Sequence, residues 1–156
     1  MQKSVYIDTT IPSYYVDQRE NLALHIDRTR VWWDQERHAY EVYCSDFVEL
    51  ELTEAGFPGQ KATLELIKEI PRLASHQEIE QIVEVYLTNF LMPSTDIRDA
   101  IHLAFAAYYK MDYLLTWNIR HLANVRKREH IRLINTQLRL PTPEIITPME
   151  LLLEED

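Results

Sequence analysis

Cysteine is nearly missing from this chain, since Cys44 is the only one in 156 residues. No disulfide can close within it and no thiolate zinc cage can be built from it. Cys44 itself is expected to be a small buried side chain at a strand end. Long apolar runs are missing too. No stretch of about 18 apolar residues occurs, and Asp8 interrupts the N-terminal MQKSVYID before a secretory signal can form. The expectation is a cytoplasmic protein with no membrane span. Only two glycines are present, and there is no repeat, linker or low-complexity segment, so residues 1–156 are expected to form one domain. Basic residues are in deficit, with a net charge of -9. That balance disfavours a general polyanion binder, because phosphate affinity is mostly attraction to Lys and Arg.

The basic residues that exist are concentrated. Between Arg120 and Arg139 stand Arg120, Arg126, Lys127, Arg128, Arg132 and Arg139 against the single acid Glu129. A solvated helix face looks the same on charge alone, yet this is the one basic segment in an acidic protein.

Four short apolar runs read as buried parallel strands: Val5 to Asp8, Tyr40 to Cys44, Tyr113 to Thr116 and Glu144 to Ile146. Arg72 to Ala74 is a weaker fifth. Helices are predicted between them. From Gln77 to Phe90 the residues Ile79, Ile82, Val83, Tyr86, Leu87 and Phe90 recur at helical spacing, with Ser75 and Glu78 as a capping box. Other helices are predicted at Leu22 to Arg37, Gln60 to Lys68, Thr95 to Lys110 and Val125 to Leu138. One more begins after Ser45 and stops at Gly56, and another starts at Thr147 with Pro148 and Glu150. This alternation means α/β, a three-layer sandwich with a central, mainly parallel sheet of four or five strands between helices.

Ligands of such sheets bind just beyond the carboxyl ends of the strands. Asp8 closes the first strand, Ser45 follows the second, and Thr116 and Asn118 follow the fourth. Taken singly, each has an ordinary reading as a cap or turn residue. Glu51 borders the buried stripe of its helix through Val48, three residues earlier, while Glu49 points elsewhere. Asp96 and Asp99 lie at the start of a helix whose stripe is Ala100, Leu103, Ala104, Ala107 and Tyr108. The helix dipole favours acids there, but an acid on a face chosen for burial needs a cation or strong donors.

Together, Asp8 in YIDTTIPSYY, Glu51 six residues after Ser45, Asp99 in DIRDAIHLAFAA and the strand and turn DYLLTWNIRHL resemble the PIN-domain nucleases, above all the VapC-like toxins of type II toxin–antitoxin pairs. The resemblance runs nearly end to end, and its last stretch is the most specific. It departs from the family at Asn118, where the fourth acid is often Asp. What it implies is a metal-dependent endoribonuclease that hydrolyses RNA phosphodiester bonds. Asp8, Glu51, Asp99 and Asn118 would be the catalytic set, the three carboxylates would bind Mg²⁺ or Mn²⁺, and Thr116, Asp96 and Thr9 would support them. Arg120, Arg126 and Lys127 would contact the RNA backbone. It also implies a homodimer and an antitoxin protein laid over the acidic cleft.

Two rivals stand beside this reading. A PIN-fold RNA- or protein-binding module with weak or lost chemistry is the alternative that Asn118 favours, since an amide brings no charge to a metal. A haloacid-dehalogenase-like phosphatase would want an Asp two residues after Asp8, where Thr10 stands.

Overall fold

The computed structural model describes residues 2–89, 91–92, 96–118, 120, 122 and 124–151. Five strands form one sheet: β1 (Ser4–Ile7), β2 (Glu41–Ser45), β3 (Arg72–Leu73), β4 (Tyr113–Leu115) and β5 (Glu144–Ile146). Their order is β3-β2-β1-β4-β5, and every pairing is parallel. The α-helices among the described residues are α1 (Thr10–Val16), α2 (Ala23–Val31), α3 (Asp46–Glu54), α4 (Gln60–Leu66), α5 (Gln77–Thr88), α6 (Ile97–Tyr108) and α7 (Val125–Gln137). None of them is long and apolar enough to cross a membrane.

β1 is central because its apolar run is buried on both faces, with Val5, Tyr6 and Ile7 all sealed from solvent. From β1 the chain steps outward through β2 to β3, then crosses back to β4 and steps the other way to β5. Right-handed crossovers therefore put α1 to α4 over one face and α5 to α7 over the other. The packing agrees: α1 lies against α2 and α4, α3 against α4, and α5 against α6. This is the α/β sandwich of the sequence reading, with the weak strand Arg72–Leu73 present and all five strands parallel.

The differences lie mostly at helix ends. The single helix expected over Leu22 to Arg37 is broken into α2, a wide π-type turn over Trp32–Glu36 and a 3-10 turn at Arg37–Ala39. Trp32 and Trp33 are both buried. Successive α-helical side chains diverge by about 100°, and the widened turn brings both rings inward. Ser75 does not cap α5. Its N–H and hydroxyl both bond the Asp46 carboxylate, and His76 takes the cap position without a side-chain bond. Gly56 is not a left-handed helix stop either. Helix α3 ends at Glu54 with Ala55 extended, and the left-handed glycine is Gly59, φ 86°, which enters α4. At the C-terminus the Thr147–Glu150 capping bonds form, but no helix follows within the described residues. Phe90 and Thr95 of the predicted helices lie outside those residues.

Candidate functional site

The two ends of the central strand pair carry the site. After β1 the chain turns toward β2, while β4 is entered from the opposite side and leads to β5. The connections beyond β1 and β4 thus diverge, which is the switch point where open parallel sheets bind ligands. Asp8-Thr9-Thr10 leaves one strand there and Thr116-Trp117-Asn118 the other. A helix between parallel strands runs antiparallel to them, so the N-terminal halves of α3 and α6 lie toward this same edge, with Asp99 in the first turn of α6 and Glu51 in the second turn of α3.

Asp8 is the centre. It is only 1% exposed, and its ladder bond to the Leu115 carbonyl fixes its backbone to β4. Thr10 donates to Asp8 Oδ1 from its N–H at 3.0 Å and its hydroxyl at 2.5 Å, and Thr116 donates to Oδ2 at 2.5 Å. Both hydroxyls are held in turn, by the Trp117 N–H on Thr10 and the Asn118 N–H on Thr116, each at 2.9 Å. The sequence reading of Asp8 as a turn residue is thus half right, because its carboxylate does organise the local backbone. Yet every donor on it is neutral, and it has no ion pair among the described residues. Burial pushes its pKa up from the ordinary value, opposed by the nearby imidazole of His102 and the two threonine hydroxyls and reinforced by the charge of Asp99.

Asp99 and Asn118 meet directly, with the amide Nδ2 donating to Asp99 Oδ2 at 2.7 Å. The asparagine at the fourth position therefore gives α6 and the β4 turn an attractive contact where two acids would repel. Asp96 occupies the cap position of α6 without a side-chain bond to the helix N–H groups. Glu51 takes a third place. Thr9 donates to its Oε1 at 2.5 Å and His102 Nε2 lies 2.6 Å from the same oxygen. Burial opposes its ionisation, but the hydrogen bond and the nearby imidazole of His102, the Thr9 bond and the charge of Arg98 outweigh that, and its pKa lies below the ordinary value.

The acids are thus joined through neighbours. Thr9 follows Asp8 and holds Glu51; Thr116 holds Asp8 and accepts from the Asn118 that holds Asp99. Among the described residues no group of three or more His, Cys, Asp or Glu side chains is placed to hold a metal ion. A cavity of about 1060 Å³ opens beside this edge, lined by Thr9, Glu51 and Arg98 together with Arg19, Ser13 and Phe57 among others.

The basic segment separates into two parts. Arg120 and Arg126 are exposed. Lys127 is not available in the same way: it is half-buried and its ammonium donates to the Leu91 carbonyl. Arg128 is likewise drawn in, to the Ile145 carbonyl and Glu150. Trp32 and Trp33 are core residues, and Tyr14 stacks on the buried Trp117.

His102 and Tyr6 escaped the sequence reading. His102 was passed over in a run of apolar letters, although it stands three residues after Asp99 and so shares its helix face. Tyr6 read simply as strand core, and nothing in its neighbours announced a hydroxyl facing His102. Arg98, one residue before Asp99, was also missed as a wall of the cavity.

No family model matches the chain, and no curated protein matches it.

Proposed function

We propose that this chain is a metal-dependent endoribonuclease whose centre is the carboxyl edge between β1 and β4. The observation that carries the reading is Asp8, a sealed carboxylate at the switch point, joined to Asp99 through Thr116 and Asn118 and held only by neutral donors. A buried carboxylate in that setting calls for a positive partner. The neighbouring donors are carboxylate, amide and hydroxyl oxygens, the hard set that suits Mg²⁺ or Mn²⁺ rather than a soft metal. The order of Asp8, Glu51, Asp99 and the Thr-Trp-Asn turn, which resembles the PIN-domain nucleases, supports the same conclusion, and so does the five-stranded parallel sandwich.

In this reading Asp8 and Asp99 hold the ion and Glu51 orients the attacking water. The chemistry such an ion supplies when bound is charge neutralisation on the phosphate and a lowered pKa for water. Thr10 and Thr116 hold the Asp8 carboxylate in one rotamer. Asn118 does the same for Asp99 and presents no charge that would repel the substrate. Arg120 and Arg126 reach the RNA backbone from outside the centre, where their role is to position rather than to select sequence. Lys127 serves as a brace to the Leu91 segment, which makes it the weakest of the three substrate contacts. A toxin of a VapBC-like pair acting in the cytoplasm as a homodimer, with an antitoxin over the cleft, is the biological setting that the resemblance favours.

The test is RNA cleavage with Mn²⁺, with and without chelator, for wild type, Asp8→Asn and Asp99→Asn. Cleavage that needs the metal and both acids supports the reading; cleavage by either variant at the wild-type rate ends it. One observation favours a second reading, a binding module without chemistry: both Asp8 oxygens already have protein partners and the fourth position is an amide. That module would bind RNA with chelator present and cut none with metal.

A further inference from the structure

A chain of buried polar groups runs behind Glu51 and is not used in the scheme above. It begins on the α3 backbone, where the Val48 N–H donates to Ser45 Oγ at 3.2 Å. The Ser45 hydroxyl lies 2.8 Å from Tyr6 Oη, and either oxygen can donate. Tyr6 Oη in turn lies 2.7 Å from His102 Nδ1. A ring that accepts at Nδ1 carries its hydrogen on Nε2, and Nε2 faces Glu51 Oε1 at 2.6 Å. With Ser45 donating to Tyr6 and Tyr6 donating to Nδ1, every bond in the series points toward the carboxylate. Tyr6 and His102 are 0% and 3% exposed, so neither can exchange these partners for water. The imidazole plane is set as well, with Phe47 meeting it edge-on at 5.2 Å between ring centroids and the Tyr6 ring tilted against it at 5.8 Å.

We propose that His102 is a positioning residue: Tyr6 fixes its tautomer, and its Nε2–H pins the Glu51 carboxylate beside Thr9 at the Asp8 edge. Both bonds to Glu51, from Thr9 and from His102, end on Oε1. Glu51 is thereby anchored through one oxygen at the wall of the cavity that it lines. An exposed glutamate on a helix samples several rotamers, and fixing one of them costs side-chain entropy. Here the fold meets that cost in advance. The arrangement also explains why a histidine sits among the alanines of α6, where any apolar residue would serve packing alone.

The kinetic arm of the test rests on the cleavage reading above; the spectroscopic arm does not. ¹⁵N NMR of the histidine-labelled full chain is expected to show His102 as the Nε2–H tautomer with Nδ1 accepting a hydrogen bond, and Tyr6→Phe is expected to move the Nδ1 resonance. A proton on Nδ1 in the wild type, or a Nδ1 resonance indifferent to Tyr6→Phe, overturns the wiring. In Mn²⁺-dependent RNA cleavage, His102→Leu is expected to lower kcat by about 10- to 100-fold, the usual cost of removing an outer partner of a ligand, with KM unchanged. His102→Gln, whose amide N–H can reach the same oxygen, is expected to restore most of the loss. Unchanged kcat in His102→Leu, or equal losses in both variants at equal melting temperatures, overturns the positioning role. Should His102→Leu fail to fold, Tyr6→Phe takes its place, with a smaller kcat loss expected and an unchanged rate overturning the role. Failure of the cleavage reading is recognised separately, by wild type and Asp8→Asn cutting alike, and the NMR result then decides the wiring alone.

Discussion

The carboxyl edge of β1 and β4 and the outer face of α7 are both charged, and they are built in opposite ways. At the edge, Asp8 is sealed and each of its oxygens is held by a donor that is itself held. On α7, Arg126 and Arg132 stand in solvent, and the ion pair of Arg132 with the exposed Glu129 is a long 3.9 Å contact. Rigid charge at 1% exposure is what selective metal binding and catalysis require. Mobile charge in water attracts a polyanion over distance and contributes little to folding. The two regions therefore divide the proposed work, chemistry at the edge and capture on the helix, and substitutions in each should fail differently.

The largest effect is expected from Asp8→Asn, which should bring metal-dependent cleavage to background while leaving the circular dichroism spectrum unchanged. Next comes the α7 side. Replacing Arg120 and Arg126 with Ala should weaken RNA binding without altering kcat at saturation. It should also flatten the salt dependence of affinity by roughly 0.7 log unit per lost contact with single-stranded RNA, as measured by fluorescence anisotropy over a salt series. If kcat falls instead and the salt slope stays, the division of labour is wrong.

A third expectation concerns stability and pH. Burial raises the Asp8 pKa, so the native chain keeps that proton to higher pH than the unfolded chain does. Stability tied to this group is then greatest at low pH and declines as pH rises through the folded pKa. Glu51 has the opposite sign: its lowered pKa gives stability that is present above the ordinary carboxylate value and is lost as pH falls through the folded one. Metal-free Asp8→Asn should therefore melt higher than wild type at pH 7, with the difference closing toward pH 3, and Glu51→Gln should melt lower at pH 7. Thermal melts across pH without added metal check both signs. The smallest effect is expected at Cys44. Burial pushes its thiol up to about 11, so it should resist alkylation at pH 8 in the folded protein and react on denaturation.

The same contrast shows what the letters could tell. Strand and helix alternation is a pattern of hydrophobicity, and burial reads hydrophobicity directly, so β1 to β5 and the stripe of α5 emerged nearly at their true bounds. Asp8 and Asp99 were legible because they sit at element ends, where chemistry-bearing residues stand out from the core, and Glu51 because it borders the buried stripe inside α3. His102 was not, since its partners Tyr6 and Glu51 lie 96 and 51 residues away in sequence, and only folding brings them together. The bracing bond of Lys127 was hidden for a related reason. Charge patterning predicts a solvated cation, but the long aliphatic stem of lysine lets its ammonium turn back to the Leu91 carbonyl. The supposed cap at Ser75 failed because the Asp46 carboxylate, 29 residues earlier, accepts from both the N–H and the hydroxyl of Ser75 and draws the residue away from the helix start.

The most direct measurement is a calorimetric titration of the metal-free chain with Mn²⁺, run in parallel on Asp8→Asn and Asp99→Asn. Saturable binding to the wild type that disappears in both variants, while both keep their fold, is the predicted result. Equal binding in all three proteins, or none in the wild type, would contradict a metal centre at the β1 and β4 edge.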